Sequence, residues 1–502
     1  MPATRIMAVD LGASGGKCFV GTFENDSFSM QEVHRFSHQP VTFFISNSHG
    51  NITERCYWED TYLYQNVIEG LQKFRREVSE TLDSIGVDTW GSDGQFITRD
   101  GDILGKVYCY RDHRLDRMIE EVKKRIDPVA LYRTTGIHFQ PFNISNQLLW
   151  FLLNRKYQLQ PGLVFLPMPT LFYFYLGNVR SVDTTWASVT QLMDARTKTW
   201  SKQVLEKLGI PGEIMPSIVE PGTVMGRVTE PLAGYLKLNQ PRLTAVGSHD
   251  TASAYAAAPA QNPQEALIIS SGTWSLVGKL LPEPITTKQA MQHNLSNEGG
   301  IGNIRFLKNC MGTWIVQELL KVWEDRDGKK MSWEEVLRLV ENAQPFVSFI
   351  DPDDMSFYNP HNMDQALVEF CKKTGQQVPG SRGGMLRVVY ESLALKYRRV
   401  NEEICEVCGS PTRAVYIVGG GSKNDMLNQF AADATGLPVI AGPEEATAVG
   451  NIMVQAMGLG LIHSLEKTAP MVRDAFYIRD FQPWDHSRWH KVYQRFMKIL
   501  ST

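Results

Sequence analysis

The stretch Ile6-Met7-Ala8-Val9-Asp10-Leu11-Gly12-Ala13-Ser14-Gly15-Gly16-Lys17 runs from a short apolar segment through an acid into a turn of small residues. Consecutive apolar residues closed by such a turn read as a buried β-strand. The small side chains of Ala13, Ser14, Gly15 and Gly16 let the backbone turn sharply and bring its N–H groups close to phosphate oxygens. Lys17 adds a point charge, and Asp10 at the strand end can hold a magnesium ion through water. The segment is neither a Walker A loop, which ends in Gly-Lys-Ser/Thr, nor a dinucleotide GxGxxG. A glycine hairpin turn accounts for the same residues as well as a phosphate cradle does.

A second turn of this kind, Ser270-Ser271-Gly272-Thr273-Trp274-Ser275, follows the apolar residues 266–269, about 260 residues further on. Taken singly, it is equally a β-turn whose hydroxyls are satisfied locally. Two such turns, each opening one of two similar domains, suit a polyphosphate clamped between them. Between the two lies Gly247-Ser-His249-Asp250-Thr251-Ala-Ser253. An acid at a strand end and helix start is stabilised as an anion by the helix N-terminus. There it can take the proton of a substrate hydroxyl in phosphoryl transfer; the competing reading is that Asp250 only caps the helix. The glycines of Val418-Gly419-Gly420-Gly421 permit close approach of an adenine and its ribose, or form a plain strand-to-helix turn.

Around these turns, strand-like and helical runs alternate, which predicts an α/β fold. Residues 6–10, 18–23, 31–36, 84–88, 244–246 and 414–418 read as strands. Residues 61–78, 118–125 and 146–154 read as helices, 110–117 as a loop, and the Pro- and Gly-rich 211–231 as a connector. A chain of 502 residues is too long for one core, so two domains are expected. The boundaries expected are 1–246, 247–469 and a helical tail over 470–502.

Apolar residues make up 43% and charged residues 21%, with a formal net charge of -3. That balance favours neither nucleic acid nor an anionic membrane as partner. The first residues lack the apolar centre and cleavage site of a signal peptide. The most apolar stretch, 163–177, is interrupted by Pro167 and Pro169 and is too short to span a bilayer. Seven cysteines are too few, and odd in number, for a disulfide scaffold. Cys405 and Cys408 form a lone CxxC among Glu402, Glu403 and Glu406, better read as two reduced thiols on a helix than as a metal or redox site. A cytoplasmic protein is expected.

Further segments sharpen the reading: Asp88-Thr-Trp90-Gly91, Tyr110-Arg-Asp112, Gly136-Ile-His-Phe-Gln-Pro-Phe-Asn143, Asn297-Glu-Gly-Gly300, Leu307-Lys-Asn309, Met311-Gly-Thr-Trp314 and Ala441-Gly-Pro-Glu444. Together with the four turns, and in this order, they resemble the FGGY carbohydrate kinases of the rhamnulokinase type, within the actin-like ATPase superfamily. The resemblance spans almost the whole chain. It implies two ribonuclease-H-like α/β domains flanking a deep catalytic cleft, with the sugar deep inside and ATP, with Mg²⁺, held mostly by the second domain. Asp250 corresponds to the catalytic base and residues 13–17 to the first phosphate loop. Thr273, Asn309, Gln317, Gly419 and Gly420 correspond to nucleotide contacts, and Trp90, Gly91, His249, Asp250 and Thr251 to sugar contacts. The implied reaction is ATP-dependent phosphorylation of a ketose 1-hydroxyl, L-rhamnulose first and L-fuculose or another ketose next. The contrasting class is a non-catalytic actin-like ATP-binding sensor or chaperone, which has no use for a carboxylate facing a substrate or for the segments at 88–91 and 136–143.

The chain departs from the rhamnulokinase pattern at Ser92 and Gly94, where Trp-Gly-Val-Asp-Phe is usual, and at Thr170, where Pro-Asp is usual; the glycine at 94 is closer to fuculokinases. Ser92 and Gly94 either widen the sugar pocket and add a hydroxyl to it, or point away from the cleft and merely fit the local packing.

Overall fold

The computed structural model describes residues 3–24, 27–46, 50–156, 162–358 and 360–500. They form two compact units, neither of which follows chain order. The first comprises Met1–Pro259, Leu280–Phe306 and Ala446–Ala475; the second comprises Ala260–Lys279, Leu307–Glu445 and Phe476–Thr502. A linear boundary at 246/247 therefore describes the chain differently from its packing. Residues just past that boundary pack with those before it, and the helix Ala446–Gly458 returns to the first unit to lie on the helix Asp250–Ala256.

The first unit is built on a six-stranded sheet in the order Val224–Arg227, Arg242–Thr244, Ser84–Thr89, Thr4–Gly12, Gly15–Glu24, Ser27–Ser37. Thr4–Gly12 and Gly15–Glu24 form an antiparallel hairpin whose last pair is Gly12 with Gly15, leaving Ala13 and Ser14 as a two-residue turn. Ser84–Thr89 lies parallel on the other side of Thr4–Gly12 and sets Asp88 directly beside Asp10. Ile6, Met7, Ala8 and Val9 are all fully buried, the pattern of a strand covered on both faces. Gly70 of the helix Asp60–Glu77 abuts Cys18, and Ile452 of the helix Ala446–Gly458 abuts Gly21. Residues three apart on a strand point to opposite faces, so the two helices cover the two sides.

The proline- and glycine-rich stretch 211–231 is more than a connector. Ser217–Val219 pairs in parallel with Ser181–Asp183, and Val224–Arg227 pairs with Arg242–Thr244. Both strands are short and take their partners from other parts of the chain, so composition hides them.

The sheet of the second unit carries, in order, Ile304–Met311, Trp274–Leu281, Ala266–Ser271, Ala414–Val418, Val439–Ala441 and Arg479–Phe481. Within the last stretch of the chain, Arg479–Phe481 adds an antiparallel edge strand, and the helix His486–Leu500 buries Trp489, Tyr493 and Phe496. The helix Arg382–Cys408 starts at Ser381, whose side chain accepts from the Gly384 amide, and ends at Gly409 in the left-handed conformation. Cys405 and Cys408 are free thiols on its final turns, in contact with Thr412 Oγ1 at 3.4 Å and Ser410 Oγ at 3.1 Å. Among the described residues, no helix is long and apolar enough to cross a membrane.

Candidate active site

In the first unit, the backbone amide of Thr89 donates to the Ser248 carbonyl (2.9 Å), and Thr89 bridges to His249. The sheet thus carries His249 to the start of the helix Asp250–Ala256, with His249 as the residue before it and Asp250 as its first. Asp250 Oδ1 accepts the amide of Thr251 at 2.6 Å, while its side chain stays 27% exposed. Burial pushes the Asp250 carboxyl above its ordinary range; the neighbouring His249 and Arg305 pull the other way.

His249 stands between two acids. Its Nε2 is 3.5 Å from Asp250 Oδ1 and its Nδ1 is 3.3 Å from Glu298 Oε2. Glu298 lies on the strand Ser296–Gly299, and Arg305 on Ile304–Met311 reaches it at 3.1 Å. Burial alone would raise the Glu298 carboxyl, but Arg305 and His249 hold it down at about 2. Gly91 closes the remaining side: a Cβ at position 91 would stand 2.7 Å from His249 Nε2. Trp90 beside it is buried, its indole donating to Asp93 Oδ2 at 3.1 Å and its ring 4.3 Å from that of Trp58. Asp93 also accepts from the Trp58 indole (2.7 Å), the Tyr110 amide (3.1 Å) and Gln147 (3.0 Å).

The three departures from the expected pocket all turn into the protein. Ser92 Oγ donates to the Phe142 carbonyl at 2.9 Å and accepts from Gln147 Nε2 at 3.0 Å. Gly94 pairs with Pro167 across two strands, and a Cβ there would lie 2.4 Å from the Phe165 ring and 2.6 Å from the Leu166 carbonyl. Thr170 Oγ1 donates to the Ser181 carbonyl at 3.1 Å. The wider pocket with an added hydroxyl is therefore not what these residues build: the freed space and the hydroxyls are taken by neighbouring strands and loops.

The first glycine turn has its own packing. The Ser14 carbonyl accepts the His38 amide (3.2 Å), and His38 Nε2 bonds the Gly12 carbonyl (2.8 Å). Cβ atoms at 15 and 16 would meet the Phe36 carbonyl at 2.9 Å and the Phe36 ring at 2.3 Å. Lys17 is the cross-strand partner of Asp10. Asp88, fully buried next to Asp10, has its carboxyl driven well above the usual range by burial, then by the charge of Asp10; Asn451 Nδ2, donating to Asp88 Oδ2 at 2.5 Å, opposes this. Oxygen donors of this kind, crowded enough to repel one another, are the chemistry that a hard cation such as Mg²⁺ accepts. Among the described residues, no group of three or more His, Cys, Asp and Glu side chains is arranged to enclose a metal, so a cation here would draw its remaining ligands from water and phosphate.

In the second unit, the turn at Gly272-Thr273 is tied to the start of the helix Trp314–Asp327. The Gly312 amide donates to the Thr273 carbonyl and the Thr313 amide to the Gly272 carbonyl, both at 3.0 Å. Gln317 Nε2 reaches Thr313 Oγ1 at 3.3 Å. Gly419, at φ 82°, and Gly421 press on Ser271; a Cβ at 421 would lie 2.0 Å from Ser271 Oγ and 2.6 Å from its Cβ. Among the described residues, Asn309 Oδ1 is buried without a hydrogen-bond partner. Thr273, Gln317, Gly419 and Gly420 thus belong to segments packed on the two ends of one turn.

The structure therefore gathers Trp90, Gly91, His249, Asp250 and Thr251 in one unit, and the Thr273, Gln317 and Gly419 segments in the other. Glu298, Arg305, Asp88 and Asn451 had no role in the sequence reading. Glu298 lay inside a segment noted for its resemblance, and Asp88 opened another, but Arg305 and Asn451 carry no local signature.

The chain belongs to the FGGY family of carbohydrate kinases: the N-terminal domain of that family matches residues 6–256 and the C-terminal domain matches residues 267–459. Among individual proteins, it is similar to a rhamnulokinase from Bacteroides thetaiotaomicron, 36% identical over 497 residues and covering 99% of both chains. It is also similar to a rhamnulokinase from Bacillus subtilis, 33% identical over 482 residues and covering 96% of both. The fold matches a gluconate kinase from Lactobacillus acidophilus with a TM-score of 0.77 at 15% identity, over 99% of this chain and 98% of that one.

Proposed function

We propose that this protein transfers the γ-phosphoryl group of ATP to the 1-hydroxyl of a ketose, with L-rhamnulose as its sugar and L-rhamnulose 1-phosphate as product. The observation that carries the reading is Asp250: a carboxylate at a helix start, partly open and flanked by Thr251 and by His249, whose ring packs on Gly91. The similarity to relatives named rhamnulokinase over nearly the full chain supports the choice of sugar.

His249, Thr251 and the segment Trp90-Gly91 hold the ketose with its 1-hydroxyl against Asp250. As that oxygen attacks the γ-phosphorus, its proton passes to the Asp250 carboxylate, and the bond from phosphorus to the ADP oxygen breaks. The burial that raises the Asp250 carboxyl makes it a better proton acceptor, while His249 and Arg305 oppose that rise. Residues 13–17, Thr273, Asn309, Gln317, Gly419 and Gly420 take the nucleotide. Asp10 would hold Mg²⁺ through water, and that ion neutralises phosphate charge when bound. ATP and a free sugar as substrates assign the protein to the cytoplasm.

The test is ADP release by the purified protein with Mg²⁺ against a panel of ketoses. Turnover is expected to rise strongly with L-rhamnulose. ATP hydrolysis that no sugar stimulates would favour a non-catalytic actin-like protein instead, and a preference for L-fuculose or L-ribulose would move the assignment within the kinases.

A further inference from the structure

Arg305 is a fully buried guanidinium, each of whose three nitrogens has a partner. Its Nε donates to the Gly299 carbonyl at 2.8 Å and its Nη1 to Thr251 Oγ1 at 2.7 Å. Its Nη2 lies 3.1 Å from both Glu298 Oε2 and His249 Nδ1. Glu298, itself 4% exposed at the side chain, closes the set with its approach to His249. A buried ion pair is no bargain for stability, since apolar residues of equal volume serve as well or better. What this pair provides is direction: two of the side chains it reaches, His249 and Thr251, are the immediate neighbours of Asp250. The imidazole is then bounded by Gly91, by Thr251, and by the Arg305–Glu298 pair.

We infer that Glu298 and Arg305 are positioning residues of the sugar site, holding the His249 imidazole and the Thr251 hydroxyl in fixed register with Asp250, and so set ketose binding and turnover without touching the nucleotide. The inference rests on Asp250 being the base. Lysine at 305 keeps the positive charge that Glu298 needs, but its single ammonium cannot reach the carbonyl, the hydroxyl and the carboxylate as the planar fork does. Glutamine at 298 keeps the shape and removes the charge.

Arg305→Lys and Glu298→Gln are to be measured in the full chain for kcat and KM with the ketose, KM for ATP, and melting temperature, beside Asp250→Asn. In each of the two variants, ketose kcat/KM is expected to fall about 100-fold, the usual consequence of a misplacement near 1 Å. KM for ATP should stay within about threefold of wild type, since nucleotide binding is a separate term. A folded variant whose ketose kcat/KM stays near wild type overturns the inference, as do equal losses toward both substrates that track the melting temperature. If Arg305→Lys does not fold, Glu298→Gln decides by the same criteria. Loss of turnover in Asp250→Asn with wild-type behaviour in the other two defeats the inference alone; full turnover in Asp250→Asn defeats the reading of the base.

Discussion

The α-carbon of Gly91 lies against the imidazole of His249, so closely that a Cβ at 91 would stand 2.7 Å from Nε2, 2.8 Å from Cδ2 and 3.0 Å from Cε1. The ring cannot yield cheaply, because Arg305 and Glu298 occupy its other edge. Gly91→Ala is therefore expected to push His249 out of register and to lower ketose kcat/KM by about 100-fold, with KM for ATP little changed. Steady-state kinetics with each substrate varied in turn checks this.

Asp250→Asn keeps size and the possibility of accepting the Thr251 amide, but cannot take a proton. It is expected to fold, to bind ATP, and to lose roughly 10²- to 10⁴-fold in turnover. Turnover within a few-fold of wild type would reduce Asp250 to a helix-start residue.

Gly421→Ala tests the second unit. Its Cβ would fall on the side chain of Ser271, and the Ser271 carbonyl is only 3.0 Å away, so the turn carrying Thr273 must shift with it. KM for ATP is expected to rise at least about tenfold, a loss of binding energy near 1.4 kcal/mol, while KM for the ketose holds. Equilibrium binding of a non-hydrolysable ATP analogue gives the direct readout.

Ser92→Val is expected to leave the kcat/KM ratios among L-rhamnulose, L-fuculose and L-ribulose unchanged. It should instead destabilise the protein by about 0.5–1.5 kcal/mol, because the Phe142 carbonyl and the Gln147 amide each lose one buried partner while remaining bonded to each other. Denaturant melts and a ketose panel separate the two effects.

Glu391 gives a pH dependence of known sign. Burial pushes its carboxyl up to about 7 from the usual 4.5, against Arg387, whose Nε lies 2.7 Å away. A raised folded-state value means the folded protein holds a proton that the unfolded chain has released. The stabilisation is whole below about pH 4.5 and is lost as pH rises through about 7. Glu391→Gln does not titrate, so its stability relative to wild type is expected to improve by most of about 3 kcal/mol between pH 4.5 and 7.5. Guanidinium unfolding of both proteins across that range checks the slope.

The strands, the helices and the glycine turns were legible in the chain because each depends on residues next to one another. Buried strands read as apolar runs, turns as clusters of small residues, and the helix Asp60–Glu77 as periodic apolar positions; 414–418 and 61–78 match their elements to within a residue, whereas 18–23 and 31–36 fall inside the longer strands Gly15–Glu24 and Ser27–Ser37. Family membership was legible for a related reason: the motifs stand in one order from Asp10 to Glu444, and order survives in a linear text. Which way the side chains face was not. Ser92 and Gly94 follow Gly91 by one and three residues, yet Ser92 is claimed by Phe142 and Gln147 and Gly94 by Phe165 and Leu166. Asn451 reaches Asp88 from 363 residues away. Arg305, on a strand with no motif of its own, ends up linking Glu298, His249 and Thr251. The sequence alone determined the fold class, the family and the place of Asp250, since these rest on local pattern and order. Only the tertiary structure decided which groups surround that acid, because a buried charge or hydroxyl takes its partner from whichever segment packing brings near, however distant along the chain.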